Sequence, residues 1–194
     1  METRYREHVI KMDPVLRVNG HRVAYVRFEP YRPFPDGLWP VHDLEERMNL
    51  AAHVVARLYP FPVGFRFGEE AGASEAKLLR VVVEAEGVSA RSVYVEFEAG
   101  EPDLAERMEA FLDQDFSCVL VGAERDLEAA LALPSTVLRL FGPGILRLDP
   151  GLLQEFVAPF GTTEVGSAIE LNELRRLGIT HYAGPLARRR FAAD

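Results

Sequence analysis

Two groups of side chains have the types and spacing that could do chemistry. The first is four carboxylates in the middle of the chain, Glu84, Glu86, Glu96 and Glu98. Carboxylate oxygens gathered on one surface can hold a hard divalent cation. Without a cation, the same surface attracts a positively charged protein patch. The second group is a stripe in which His42, Glu46, Asn49 and His53 recur at spacings of four, three and four. On a helix such spacings align imidazole, carboxylate and amide, the ligand types of a metal or acid–base centre. His42 and His53 would stand roughly 16 Å apart along the axis, too far to share one ion. Glu46, Asn49 and His53 are therefore the largest set that could act together.

Other chemistries find little support. No G-x-S-x-G elbow and no H-E-x-x-H pair occurs. The only lysines are Lys11 and Lys77, and neither falls near a cluster of acids that would make a nuclease centre. The single cysteine, Cys118, lies in the apolar run 116–121 and reads as a buried structural thiol, with no intrachain disulfide available. The loop 161–167, GTTEVGS, precedes a helical pattern and could offer backbone N–H groups to an anion, but it carries no lysine. Nothing points to a cofactor.

The elements that would position the carboxylates are read from residues 78–98, LLRVVVEAEGVSARSVYVEFE. Period-two alternation suggests two strands joined by a loop at 87–91. Val81, Val83 and Ala85 would form a dry face with Val93, Val95 and Phe97. The four glutamates would share the wet face. Residues 15–28 form a second hairpin candidate around Asn19-Gly20, with Arg17 opposite Arg22. Residues 29–40, EPYRPFPDGLWP, read as a stiff, proline-rich loop presenting Tyr31, Phe34 and Trp39. Rings held on such a loop make low-entropy anchors for a partner.

Asp43 caps a helix that runs to about residue 59 and carries the histidine stripe. A short strand follows at 61–67. After residue 100 the pattern changes to helix 102–114, strand 116–121, helix 124–131, strands 136–141 and 145–148, then helices near 150–157 and 168–177 and a last strand near 179–182. The fold class expected is α+β: an antiparallel sheet with one long helix packed across it, followed by a mixed α/β C-terminal half. The division falls at residues 1–100 and 101–194, packed as one unit.

The chain has 194 residues, 48% of them hydrophobic, with a net charge of −8. That suffices for a core without staples. Residues 84–128 hold thirteen acids against three arginines, a net of −10, while the ends are basic. An acidic middle argues against wrapping nucleic acid, except through a local patch at Arg188, Arg189 and Arg190. The start has no apolar signal and no run is long enough to span a membrane, so a soluble, cytoplasmic protein is expected. Arginine outnumbers lysine twenty to two and amides are few, a leaning toward heat adaptation. The leading expectation is a non-enzymatic protein that binds a protein partner or itself through the acidic face and the aromatic loop. The alternative is a metal-dependent hydrolase or nuclease using the glutamates or Glu46, Asn49 and His53.

Overall fold

In a computed structural model of the protein, the structure describes residues 2–123, 132–134, 137–141, 160–162, 171–172, 175–176 and 180–192. The strands are β1 (Glu2–Tyr5), β2 (His8–Arg17), β3 (Val23–Phe34), β4 (Gly37–Pro40), β5 (Val63–Phe65), β6 (Val93–Glu98), β7 (Ser117–Ala123), β8 (Val137–Phe141), β9 (Phe160–Thr162) and β10 (His181–Tyr182). The helices are α1 (Leu44–Leu58), α2 (Ala73–Ala85), α3 (Leu104–Leu112) and α4 (Pro185–Phe191).

Eight strands close a ring in the order β2, β3, β5, β6, β7, β8, β9, β10 and back to β2. From β3 to β10 every pairing is parallel. β2 alone runs antiparallel to both neighbours. β1 and β4 lie outside the ring, each extending a hairpin. Parallel strands need crossovers, and a strand covered by helices on one side and lumen on the other is buried on both faces. The apolar run 116–121 in β7 has that origin.

The antiparallel α+β expectation is thus overturned, and the reason lies in residues 73–86. Valines in a row suggested a strand, yet these residues form α2. Glu75 accepts a hydrogen bond from the Gly72 N–H at 2.9 Å, closing the first turn. Ala76, Leu79 and Val83 face the core at helical spacing and are fully buried, whereas Val81 is 64% exposed. A dry strand face containing both Val81 and Val83 does not exist. Only the second half of the expected hairpin is a strand, and β6 pairs in parallel with β5 and β7.

α1 begins as its sequence indicates, with the Glu46 N–H donating to Asp43 Oδ1 at 2.8 Å. The 15–28 hairpin closes through the Arg17 N–H to the Arg22 carbonyl, 2.8 Å, with Gly20 at φ +77° in the turn. Residues 29–40 form a β-hairpin arm rather than an irregular loop, with Arg32 opposite Trp39 and Phe34 opposite Gly37. The helices expected at 124–131, 150–157 and 168–177, the strand at 145–148 and most of loop 161–167 lie largely or wholly outside the described residues.

Two apolar layers hold the barrel. The larger packs α1, α2 and α3 on the outer side of the strands through Phe28, Phe65, Phe97, Met108 and Phe111, among others. The smaller fills the lumen with Val15, Ala24, Tyr25, Val119 and Ala183. Tyr25 stacks on Tyr94 at 4.6 Å between ring centroids. Gly64 makes room for this stack: a Cβ there would stand 2.5 Å from Tyr25 Cδ2. Among the described residues, no helix is long and apolar enough to cross a membrane.

Candidate functional site at the mouth of the barrel

Side chains alternate along a strand, so every second residue of β2, β3, β5 and β6 shares the lumen side with the Tyr25–Tyr94 stack. Above that stack, toward the C-terminal ends of the parallel strands, the lumen turns from apolar to charged. Arg27 and Glu29 continue from Tyr25 along β3. Glu96 and Glu98 continue from Tyr94 along β6, Arg66 follows β5, and Lys11 and Asp13 come from β2. Across the antiparallel β2–β3 ladder, Lys11 sits opposite Glu29 and Asp13 opposite Arg27, a pairing of opposite charges that favours this register.

Glu96 is the anchor of the group. It is 2% exposed, accepts from Arg27 Nε at 2.7 Å and from the Tyr25 hydroxyl at 3.3 Å. The Glu96 charge holds the Arg27 guanidinium above its ordinary pKa despite burial. One layer higher, Arg66 donates to Glu98 and to Glu101, the latter at 2.6 Å. Burial alone would lower the Arg66 pKa, but Glu101 and Glu98 outweigh it and raise it. Tyr31 donates to Glu29 at 2.9 Å, and the Lys11 ammonium lies 4.3 Å from the Tyr31 ring centroid.

Two buried arginines fasten the loops around this mouth. Arg107 on α3 reaches the carbonyls of Gly68 and Ala71 and the Glu101 carboxylate, the last at 2.9 Å. Arg47 on α1 donates to the carbonyls of Val41 and Arg66. Backbone carbonyls after β4 and β5, and the Glu101 carboxylate after β6, are thereby tied to the helices, which gives the charged rim a fixed frame.

The expected site residues are dispersed. Glu84 and Glu86 belong to α2, where Glu84 pairs with Arg80. Glu96 is buried in the lumen and Glu98 stands exposed at its rim, so the four glutamates do not share one sheet face. Tyr31 stands at the mouth, while Phe34 and Trp39, 51% and 53% exposed, meet edge to face on the arm above it. Glu46, Asn49 and His53 line one groove on the outer flank of α1, and His42 is not part of it. Arg188, Arg189 and Arg190 fall on α4, where Arg188 pairs with Asp13 at 2.7 Å. Cys118 is buried, and burial pushes its thiol up to about 12, as fits a structural residue. Arg27, Glu29 and Arg66 were missed. Their signal was present, charges at every second position of apolar strands, but such charges look solvent-facing until the sheet is known to close.

A closed barrel with charged side chains gathered at the C-terminal ends of its parallel strands defines a class. In such barrels ligands are taken at that end, between the strand–helix loops. No protein-family model matches the sequence, and no curated protein matches it. Solved structures do match. The chain is similar to the PaMucR phosphodiesterase in complex with c-di-GMP, with 14% identity, a TM-score of 0.69, and 92% of this chain and 90% of that one covered. It is similar to the EAL domain of Xanthomonas citri FimX in complex with c-di-GMP, with 12% identity and a TM-score of 0.69 over 92% and 85%. It is also similar to Klebsiella pneumoniae BlrP1 in a manganese and c-di-GMP complex, with 12% identity, a TM-score of 0.73, and coverage of 95% and 56%. At these identities the likeness shows the fold, an EAL-type barrel. It completes the correction of the antiparallel expectation. It also overturns the leading functional expectation, a non-enzymatic protein-binding module, because barrels of this kind include a phosphodiesterase and the ligand named in the complexes is a small cyclic dinucleotide.

Proposed function

We propose that the mouth of this barrel takes a cyclic dinucleotide of the c-di-GMP kind. The observation that carries the reading is the group Lys11, Arg27 and Arg66 at the C-terminal end of a barrel similar to three solved structures that hold c-di-GMP. A cyclic dinucleotide presents two phosphodiester anions and two flat purines. Lys11, over the Tyr31 ring, is placed to meet one anion, and Arg66 would meet the other by exchanging its Glu98 and Glu101 contacts for phosphate, since a guanidinium or ammonium at the rim of a low-dielectric lumen binds phosphate strongly. Tyr31 at the rim, with Phe34 and Trp39 above it, offers aromatic faces on which a base can stack. Glu29 and Asp13 can accept hydrogen bonds from a guanine edge, the pairing carboxylates make with purine N–H groups.

A second reading, metal-dependent hydrolysis of a phosphodiester bond, draws support from the likeness to a phosphodiesterase and to a barrel holding manganese. The described donor set does not fit a divalent centre at the mouth. Such an ion needs several free oxygen ligands. Glu96 and Glu98 are each engaged by a guanidinium, Asp13 by Arg188, and Glu29 by Tyr31. Among the described residues, the strands β5, β7, β8 and β9 themselves contain no acid. The geometry therefore supports binding, and no hydrolytic step follows from it.

Isothermal titration with c-di-GMP tests the reading. Wild type is expected to bind one or two molecules, and Arg66→Ala to weaken binding by about tenfold or more, the cost of a charge-assisted phosphate contact. Incubation with Mg²⁺ or Mn²⁺ is expected to leave the ligand cyclic. Appearance of the linear dinucleotide would establish the hydrolase reading instead.

A further inference from the structure

The outer face of β2 carries a second feature, on the opposite side of the strand from Lys11 and Asp13 and independent of the reading given for the mouth. Ile10 and Met12 pack there against the C-terminal half of α1. On α1, His53, Val54, Arg57 and Leu58 recur at spacings of one, three and one, which brings them to one face of the helix. Between the two elements, bounded by β1, lies a cavity of about 170 Å³. Its floor is apolar, made by Ile10, Met12, Val54 and Leu58. The Tyr5–His53 stack, 3.4 Å between ring centroids, forms one wall. Arg4 from β1 and Arg57 from α1, both exposed, stand at the opening, and no acid lines the cavity.

Three observations bear on what fits. The first is size: a void of about 150 Å³ lined by aliphatic side chains admits a benzene ring. The second is charge. Among the described residues neither Arg4 nor Arg57 has an ion-pair partner. One cation in the last turn of α1 complements the helix dipole, which accounts for Arg57. It does not account for Arg4, brought to the same opening by the facing strand, where two like charges repel unless an anion joins them. The third is His53. Its Nε2 is buried and has no hydrogen-bond partner, and such an atom calls for an explanation. Burial, then Arg57 and Arg6, lower the His53 pKa, so the ring is neutral and can donate from one nitrogen.

We propose that this cavity binds a monocarboxylate whose apolar body is about the size of a benzene ring. The body fills the space over Ile10 and Val54, which are 1% and 4% exposed and give it a dry floor. Arg4 and Arg57 take the carboxylate at the opening, where guanidinium groups recognise it by paired N–H donors. His53 in the wall offers its Nε2–H to the same group. An ammonium with the same body meets two like charges, and an anion without a body leaves the floor uncovered. The occupant ties β1 and β2 to α1.

Benzoate is the probe. In the full chain labelled at its methionine methyl groups, NMR titration is expected to move the Met12 resonance saturably, because the ring current of a bound benzoate acts on a methyl in the cavity floor. Met108, on α3, is expected to stay unmoved. Arg4→Gln and Arg57→Gln are exposed changes that leave the core intact, and each is expected to weaken benzoate binding about tenfold, the worth of one charge-assisted contact. Acetate, a carboxylate without the body, and benzylamine, the body with the opposite charge, are each expected to bind at least roughly tenfold more weakly than benzoate. A Met12 resonance indifferent to benzoate would overturn the proposal, as would undiminished affinity in the two arginine variants. Benzylamine binding as tightly as benzoate would show that the arginines read no charge, and acetate doing so would show that the floor takes no part; either result overturns it equally.

Discussion

Glu96 and Arg27 form the pair on which the barrel interior depends. Removing one partner of a buried pair leaves the other charge uncompensated, at a cost of about 3 kcal/mol. Arg27→Ala is therefore expected to lower the unfolding free energy read from urea denaturation by that order, and Glu96→Gln in the same chain to restore part of it. Gly64→Ala acts sterically: its Cβ would meet the Tyr25 ring, and overpacking of this kind costs about 1–3 kcal/mol. The thiol of Cys118 makes a pH prediction. Burial raises it from 9.0 to about 12, so the folded state holds a proton that the unfolded chain gives up above pH 9. The stability it contributes is full below pH 9 and is lost as pH climbs toward 12. Tyr31, raised to about 12 by burial and by Glu29, adds the same slope only above pH 10. Urea denaturation from pH 8 to 10 is expected to show a decline that Cys118→Ala removes.

α2 shows most plainly how an element can be misread. Its sequence, ASEAKLLRVVVEA, carries β-branched residues in a row, and propensity leaned to a strand. The spacing of Ala76, Leu79 and Val83 held the helical answer, as did Glu75 three residues after Gly72. The two readings differ in a measurable way. A strand would bury Val81 and Val83 together, whereas the helix buries only Val83. Val83→Ala is expected to cost about 2 kcal/mol, and Val81→Ala to stay within about 0.5 kcal/mol. Elements with punctuation were legible: α1 from Asp43 and the proline at position 60, and α3 and β7 from their apolar runs. The 15–28 hairpin was legible because its Asn-Gly turn acts locally. The stripe of Glu46, Asn49 and His53 was legible as one helix face, but His8, which lies 2.6 Å from Glu46, comes from β2, and no local pattern joins them.

At the scale of the whole molecule, the ring is closed by pairing β2 with β10, the first barrel strand with the last. Parallel pairing and long-range closure leave little trace in a single sequence, because each contact joins segments separated by a whole crossover. Once the ring is closed, the meaning of the charges inverts. The acid at 96 ceases to belong to a solvated face and, with Glu98 at the rim, becomes part of a network balanced by arginines. The mouth is then a rim of paired cations and carboxylates set above an aromatic floor, with a hairpin arm of exposed rings beside it. Every functional claim about the mouth rests on this placement, and calorimetric titration of the purified chain with c-di-GMP tests it most directly. Saturable binding in the micromolar range or tighter is expected, lost on substitution of Lys11 and Arg66 together. A flat titration of correctly folded wild type, or binding indifferent to Lys11 and Arg66, would contradict it.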